Sequence, residues 1–224
     1  MKRRMFMACV GLLTLPSVVC AGAFEDFFLA IKFDDEPRLR ALLLKGMDPN
    51  TVNGDGFPAI TFAMMQDSPN AVRALLLSGK LDPNQPDRRG ETPLMVACTL
   101  NKPQWVATLL VKGAKQGAGG QWTALHNAAA SGSAKSLELL VNAGGEVDVL
   151  SPNETTPLMM AAREGREDAV RTLIKLGANP TLINQAGYNA AGYAMKAGRN
   201  ELAFEIMKKE KALRTAPLKP NTLN

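Results

Sequence analysis

The chain has 224 residues, of which 46% are hydrophobic, and a formal net charge of +5. This length and composition allow one or two domains with a buried core. The charge does not indicate nucleic-acid binding, because without the three basic residues of the amino-terminal segment it falls from +5 to +2.

Residues 1–23 have the pattern of a secretory signal peptide. A basic start at residues 2–4 precedes an apolar run over residues 5–19, and Ala21-Gly22-Ala23 is a small-x-small cleavage site. We expect cleavage after Ala23 and a mature protein that is periplasmic or secreted. The pair Arg3-Arg4 also fits a twin-arginine signal, so the export route stays open.

Two membrane-attached alternatives compete with cleavage. The apolar run could remain as an anchoring helix, but about 15 residues are short against the about 20 that a bilayer core needs. Cys20 could carry a lipid, although Val19 before it is larger than the small residue normal at such sites. No second apolar run is long enough to cross a membrane, so we expect no span in the mature form.

Cysteine usage limits the covalent chemistry of the mature chain. Cys9 and Cys20 lie within the expected signal peptide, which leaves only Cys98. No intramolecular disulfide can then form, and the fold has to be stabilised by packing even in an oxidising compartment.

A repeat of about 33 residues runs through the rest of the chain. Leucine-rich segments close at positions 46, 79, 113, 143 and 177. A second series opens each unit, and its members are Pro58-Ala59-Ile60, Thr92-Pro93-Leu94, Thr123-Ala124-Leu125, Thr156-Pro157-Leu158 and Asn189-Ala190-Ala191. The recurrence of both series indicates one structural unit that is repeated in tandem.

Each unit is predicted to form a helix, a turn and a second helix, as the unit that starts at Thr92 illustrates. Thr92 and Pro93 suit a helix start, and the apolar positions 94, 97 and 98 follow helical spacing. A turn over residues 101–103 separates this helix from a second one, in which Trp105 faces the core. Gly113 ends that helix in the manner of a left-handed cap.

The two series resemble the ankyrin repeat family, whose Thr-Pro-Leu-His-x-Ala motif recurs about every 33 residues. This resemblance implies an all-α, ankyrin-type helix-turn-helix solenoid with β-hairpin-like finger loops. We expect the ankyrin repeat domain at residues 24–214 and a disordered tail at 215–224. Within the domain we expect an amino-terminal cap, four internal repeats and a carboxy-terminal cap, at residues 24–53, 54–86, 87–117, 118–150, 151–183 and 184–210.

The sequence offers no catalytic constellation. His126 is the only histidine, so a Ser-His-Asp or Cys-His arrangement would be an arbitrary pairing, and no His/Cys cluster has zinc-ligand spacing. The resemblance implies that the His126 ring joins neighbouring fingers by hydrogen bonds. Cys98 lies on an inward helical position and is interpreted as a small buried hydrophobe. Carboxylates such as Glu164, Glu167 and Asp168 are typical of solvated helix ends, and a hydrolase built on them is an alternative.

In the ankyrin family, the residue before each Thr-Pro motif projects onto the concave surface where partners bind. In this chain those residues are Phe57, Glu91, Trp122, Thr155 and Tyr188. Three of them are aromatic, although aromatic residues make up 5% of the chain, and exposed aromatic side chains contribute strongly to protein interfaces. The other interpretation is that these rings cover neighbouring fingers.

Charged residues flank this aromatic row at Arg88, Arg89, Arg163, Glu164 and Lys196. Their mixed signs fit a protein partner better than a phosphate backbone. We therefore predict a monomeric, non-enzymatic binding module of the bacterial periplasm, without cofactor or metal, that acts as an immunity or inhibitor protein against an envelope enzyme or toxin. The alternative role is a scaffold for a periplasmic redox or stress-defence enzyme.

Overall fold

The computed structural model describes residues 17–117 and 119–215, and these form helices joined by short loops. The helices are α1 Ser17–Lys32, α2 Glu36–Leu44, α3 Ala59–Met65, α4 Pro69–Leu77, α5 Pro93–Thr99, α6 Pro103–Val111, α7 Ala124–Ser131, α8 Ala134–Asn142, α9 Pro157–Arg163, α10 Glu167–Lys175, α11 Ala190–Lys196 and α12 Asn200–Thr215. None of these helices is both long and apolar enough to cross a membrane.

The predicted terminal segments fall mostly outside the described residues. Of the expected signal peptide at 1–23, only residues 17–23 are described, and they form the start of α1. Of the expected tail at 215–224, only Thr215 is described, and it ends α12. The helix α12 therefore continues beyond position 210, where the sequence placed the end of the carboxy-terminal cap.

The helices stack in two layers. The inner helices α3, α5, α7, α9 and α11 pack side by side in chain order, and each is followed by an outer helix that packs against it. The apolar positions of both layers meet in a continuous core, which includes Cys98 and Trp105 as predicted, with 0% and 6% of their surfaces exposed. A single helix pair could not cover this apolar surface, so each repeat depends on its neighbours.

Local sequence sets where the inner helices begin. Thr92 caps α5, since its Oγ1 accepts a hydrogen bond from the backbone N–H of Met95 at 3.4 Å, and Pro93 occupies the first turn. Thr156 caps α9 in the same way at 3.2 Å. These caps satisfy amides that would otherwise lack partners.

The fingers between repeats reverse the chain direction without forming strands in the described residues. Four of them are closed by one backbone hydrogen bond of 2.9–3.1 Å between residues four apart, at positions 53 and 57, 87 and 91, 151 and 155, and 184 and 188. A single antiparallel bridge, between Val52 and Pro58, accompanies the first finger. The predicted hairpin-like shape is thus produced by tight turns.

Polar side chains connect the loops of successive repeats just before each finger begins. Asn50 bonds to the backbone at positions 80 and 82, Asn84 to the backbone at 113 and 115, and Asp148 to the backbone at 179, at distances of 2.7–3.2 Å. Each contact fixes the spacing between one repeat and the next.

Candidate protein-binding groove

A groove of about 830 Å³ opens on the side of the fingers and inner helices, across the second to fourth internal repeats. We call it the concave groove. The fingers and the ends of the helices supply its polar edge, and the inner helices supply its floor. The residues that line it are Arg89, Gly90, Glu91, Met95, Thr99, Gln121, Trp122, His126, Asn127, Ala130, Ser131, Met160, Arg163 and Arg166.

Trp122 presents a large apolar surface to the concave groove. Its residue surface is 42% exposed, and its ring stands edge-on to the ring of His126, with 5.2 Å between the centroids. This edge-to-face contact holds the indole in one orientation while leaving part of it open to solvent. Exposed, oriented aromatic rings of this kind are common at the centres of protein interfaces.

His126 supports the groove from below, with 1% of its surface exposed. Its Nε2 lies 2.9 Å from the carbonyl oxygen of Thr155, and its Nδ1 lies 2.9 Å from Thr123 Oγ1 and 3.2 Å from the Thr123 amide nitrogen. The Thr155 carbonyl can only accept and the Thr123 amide can only donate, so the ring is neutral with its proton on Nε2. This arrangement confirms the predicted structural role, since Nε2 joins this repeat to the next finger while Nδ1 caps the start of its own helix, α7.

Burial lowers the pKa of His126, and its hydrogen bond to the Thr155 carbonyl opposes that effect only in part. The imidazole therefore stays uncharged at neutral pH. The positive charge of the concave groove consequently comes from its arginines.

Two arginines of the concave groove are already paired with carboxylates. Arg89 contacts Glu91 at 2.6 Å and the buried carboxylate of Asp87 at 3.1 Å. Arg163 contacts Glu164 at 3.0 Å. These pairs orient the arginines, although such exposed contacts contribute little free energy of folding.

The groove brings together only four of the ten residues predicted to bind a partner: Arg89, Glu91, Trp122 and Arg163. Glu164 borders it through its pair with Arg163. The remaining predicted residues lie elsewhere.

Phe57 packs against the neighbouring finger, as the alternative interpretation of the aromatic row predicts. The guanidinium carbons of Arg88 and Arg89 each lie 5.5 Å from the centroid of its half-buried ring. Both cations therefore screen the ring from solvent.

Tyr188 lies at the other end of the stack. Its ring centroid is 5.2 Å from that of Tyr193, and Lys196 Nζ lies 4.9 Å from it. Tyr188 is half-buried in this cluster and lies outside the concave groove.

The prediction that Thr155 contacts a partner is wrong. Only 1% of its surface is exposed. Its carbonyl accepts the hydrogen bond of His126, and its Oγ1 accepts one of 3.1 Å from Asn184 Nδ2. The small Thr155 side chain is covered by the next finger and has no surface to offer.

The sequence pattern did not indicate Met95, Gln121, Met160 or Arg166 as groove residues. The sequence does contain a signal for the residues of the groove floor. Positions three or four residues apart in an inner helix, such as Met160 and Arg163, lie on the same face of that helix. The position of Arg166 depends on contacts with another repeat, which spacing within one repeat does not show.

The carboxylates considered for hydrolysis do not line the concave groove. Glu167 and Asp168 both pair with Arg171 on the exposed face of α10, at 3.0 Å and 3.6 Å. In residues 17–117 and 119–215, no group of His, Cys, Asp and Glu side chains is arranged to hold a metal ion. The groove therefore offers paired charges, uncharged polar side chains, one indole and two thioethers.

Stacked helix pairs, tight fingers and a groove along the inner helices define a helical repeat protein. The family model described as ankyrin repeats (3 copies) matches residues 27–119, 108–184 and 125–216. The chain therefore belongs to the ankyrin repeat family. Ankyrin repeats typically serve as non-enzymatic modules for protein–protein interaction.

Curated relatives share this repeat region. A putative ankyrin repeat-containing protein of Treponema pallidum (strain Nichols) is 29% identical over 179 residues, which cover 76% of this chain and 58% of the relative. The human transient receptor potential cation channel subfamily A member 1 is 26% identical over 66% of this chain and 14% of its own length. The Schizosaccharomyces pombe glycerophosphocholine phosphodiesterase gde1 is 27% identical over 85% of this chain and 17% of its own length. The chain thus spans less than two thirds of each relative.

Solved structures show the same fold. The ankyrin repeat domain of Bcl-3, described as a unique member of the IkappaB protein family, superposes with a TM-score of 0.69 at 27% identity, covering 81% of each chain. An ankyrin repeat domain from Acinetobacter baumannii AYE superposes with a TM-score of 0.72 at 23% identity, covering 82% of this chain and 96% of that domain.

Proposed function

We propose that this chain is a protein-binding module of the bacterial periplasm that holds one partner protein in the concave groove. The observation that carries the proposal is Trp122, whose residue surface is 42% exposed inside a groove with thioether groups in its floor and paired charges at its edge. An aromatic anchor surrounded by polar groups is the usual composition of a protein interface.

The charge pattern supports a protein partner over a nucleic acid. Arg89 and Arg163 are paired with carboxylates close to them in the chain, whereas a phosphate backbone requires a continuous basic strip. Mixed charges instead give orientation and selectivity against wrong protein partners.

The signal-peptide pattern of residues 1–23 supports export, and the partner is then a protein of the cell envelope. We propose that the chain acts as an immunity or inhibitor protein, because the surface that a partner presents to a groove of about 830 Å³ is hidden by the chain and cannot engage other molecules. Occlusion of an enzyme or toxin is the direct consequence of such binding.

Affinity capture from the native envelope tests this proposal. The full chain with a carboxy-terminal tag is compared with its Trp122→Ala variant and with Phe204→Ala, a matched control in which an exposed aromatic outside the groove is removed from α12. We expect the same partner with the parent chain and with Phe204→Ala, and its loss with Trp122→Ala. Equal recovery with Trp122→Ala contradicts groove binding, and recovery of the tagged chain in the cytoplasmic fraction contradicts export.

The activity of the captured partner tests the inhibitory role. We expect the partner to be inactive in the complex and active after release, when its substrate or target is supplied. Undiminished activity in the complex would contradict inhibition and would fit the scaffold alternative.

A further inference from the structure

We infer that the concave groove selects a partner segment that carries an Asp or Glu side chain close to an apolar side chain. Arg166 binds the carboxylate, and Trp122 contacts the apolar group. This inference rests on the proposed function of the groove and specifies the chemistry of its partner.

Arg166 is held in position by the preceding repeat. Its Nε donates a hydrogen bond of 2.9 Å to the carbonyl oxygen of Ala130, which belongs to the last turn of α7. Its aliphatic stem lies on Gly132, where an added Cβ would come within 3.1 Å of Arg166 Cδ. The guanidinium is therefore fixed at the groove before any partner arrives, which reduces the conformational entropy lost on binding.

The guanidinium of Arg166 has no carboxylate partner within residues 17–117 and 119–215. The other two arginines of the groove differ in this respect, since Arg89 pairs with Asp87 and Glu91, and Arg163 pairs with Glu164. The Nε–H of Arg166 is used by the Ala130 carbonyl, while the Nη groups make no hydrogen bond in the described part of the chain. Arg166 thus places one unmatched, oriented positive charge in the groove.

A carboxylate is the group that this charge fits best in a protein partner. The planar guanidinium can bind both carboxylate oxygens with its Nη groups, and such charge-assisted pairs are stronger than neutral hydrogen bonds. Because Trp122 and Arg166 line the same groove, one short segment can contact both. An acidic residue adjacent to an apolar residue meets both requirements.

The test uses a displayed library of random short peptides selected against the purified protein. We expect selected peptides to be enriched in Asp or Glu next to an apolar residue, and to bind Trp122→Ala at least about tenfold more weakly. Binding should also weaken as the salt concentration rises, because the carboxylate contact is electrostatic.

Arg166→Gln should weaken these peptides by about tenfold or more, since it removes the charge and the paired donors. Arg199→Gln is the matched control. Arg199 occupies the equivalent position one repeat later and also lies against a glycine, Gly165, which its guanidinium contacts, but it does not line the groove. Thermal unfolding of both variants separates a loss of folding from a loss of contact, and Arg166→Lys, which keeps the charge, should bind between parent and Arg166→Gln.

A charge exchange completes the test. Arg166→Glu should reject the selected peptides and should bind versions in which the acidic residue is replaced by Lys. The inference is overturned if the selected peptides lack acidic residues, if a free terminal carboxylate is the group required, or if Arg166→Gln and Arg199→Gln bind equally. Those outcomes leave groove binding intact, whereas a selection that yields no Trp122-dependent peptide contradicts the proposed function itself.

Discussion

The Nε2 atom of His126 lies 2.9 Å from the carbonyl oxygen of Thr155 and thereby joins the third internal repeat to the finger of the fourth. The equivalent position in the second and fourth repeats is occupied by Met95 and Met159. Only this joint therefore carries an imidazole, and it lies directly beneath Trp122. The stability of the stack and the shape of the groove depend on the same residue.

Replacement of His126 by Ala should lower the free energy of unfolding by about 2–4 kcal/mol, because it leaves buried groups of Thr123 and Thr155 without partners. Urea denaturation measures this loss. His126→Met should lose less, since Met159 at the equivalent position places its Sδ 3.5 Å from the amide nitrogen of Thr156. A fully stable His126→Ala protein that fails to bind its partner would contradict a structural role.

The stability of the protein should fall as the pH drops below about 6.5. Burial lowers the pKa of His126 in the folded state, so the unfolded chain takes up a proton that the folded chain resists. This penalty is absent above the unfolded pKa, grows below it, and levels off once the folded ring is also protonated. Denaturation across this pH range should show the slope in the parent protein and not in His126→Met.

Asp148 also contributes to the pH dependence of stability, at the acidic end of the measured range. Burial raises its pKa in the folded state, so its own contribution has the opposite sign, with stability gained as the pH falls through the raised pKa. Because Asp148 is unchanged in His126→Met, the difference between the two curves isolates the imidazole.

Trp122→Ala and Tyr188→Ala should separate binding from folding. Trp122→Ala is expected to weaken partner binding by about 1–4 kcal/mol with little change in melting temperature, because its exposed indole lines the groove. Tyr188→Ala should lower the melting temperature more and binding less, since its ring packs against Tyr193. Calorimetry and peptide titration give both quantities, and the reverse ranking would show that Trp122 is structural.

Thr61→Val should raise the free energy of unfolding by about 0.5–2 kcal/mol. Thr61 Oγ1 is buried at the position equivalent to His126 and has no hydrogen-bond partner among the residues that the structure describes. Valine has nearly the same shape and removes the unpaired hydroxyl. Thr123→Val is the control and should lower the free energy of unfolding, because the Thr123 hydroxyl that it removes lies 2.9 Å from His126 Nδ1. Destabilisation by Thr61→Val would show that its hydroxyl is satisfied.

Cys98 should resist thiol reagents in the folded protein. Burial raises its pKa from 9.0 to about 12, which lowers the thiolate fraction about a thousandfold, and its residue surface is 0% exposed. In a chain carrying Cys9→Ser and Cys20→Ser, labelling should follow the opening of the fold and should accelerate in urea. Rapid labelling of the native protein would indicate that α5 opens readily.

The helix pairs could be predicted because their signals lie within one repeat. A threonine or proline start, apolar residues at helical spacing and a closing glycine are local features, and Thr92 and Gly113 mark helix ends where the sequence placed them. Local propensity and tertiary packing agree at these positions.

Side-chain exposure in the groove could not be predicted in the same way, because it depends on residues one repeat apart. The finger motif places Thr155 and Trp122 at equivalent positions, but His126 and Asn184 cover Thr155. Arg166 belongs to the groove because Gly132, in the preceding repeat, leaves room for its stem.

The two tryptophans have different surroundings, so their intrinsic fluorescence can report whether the concave groove is occupied. Trp105 is buried at 6% exposure, whereas Trp122 is open to water and touches His126. A molecule entering the concave groove would shift the fluorescence of Trp122 towards shorter wavelengths and leave that of Trp105 as a constant reference. Occupancy of the groove can therefore be followed without attaching a dye.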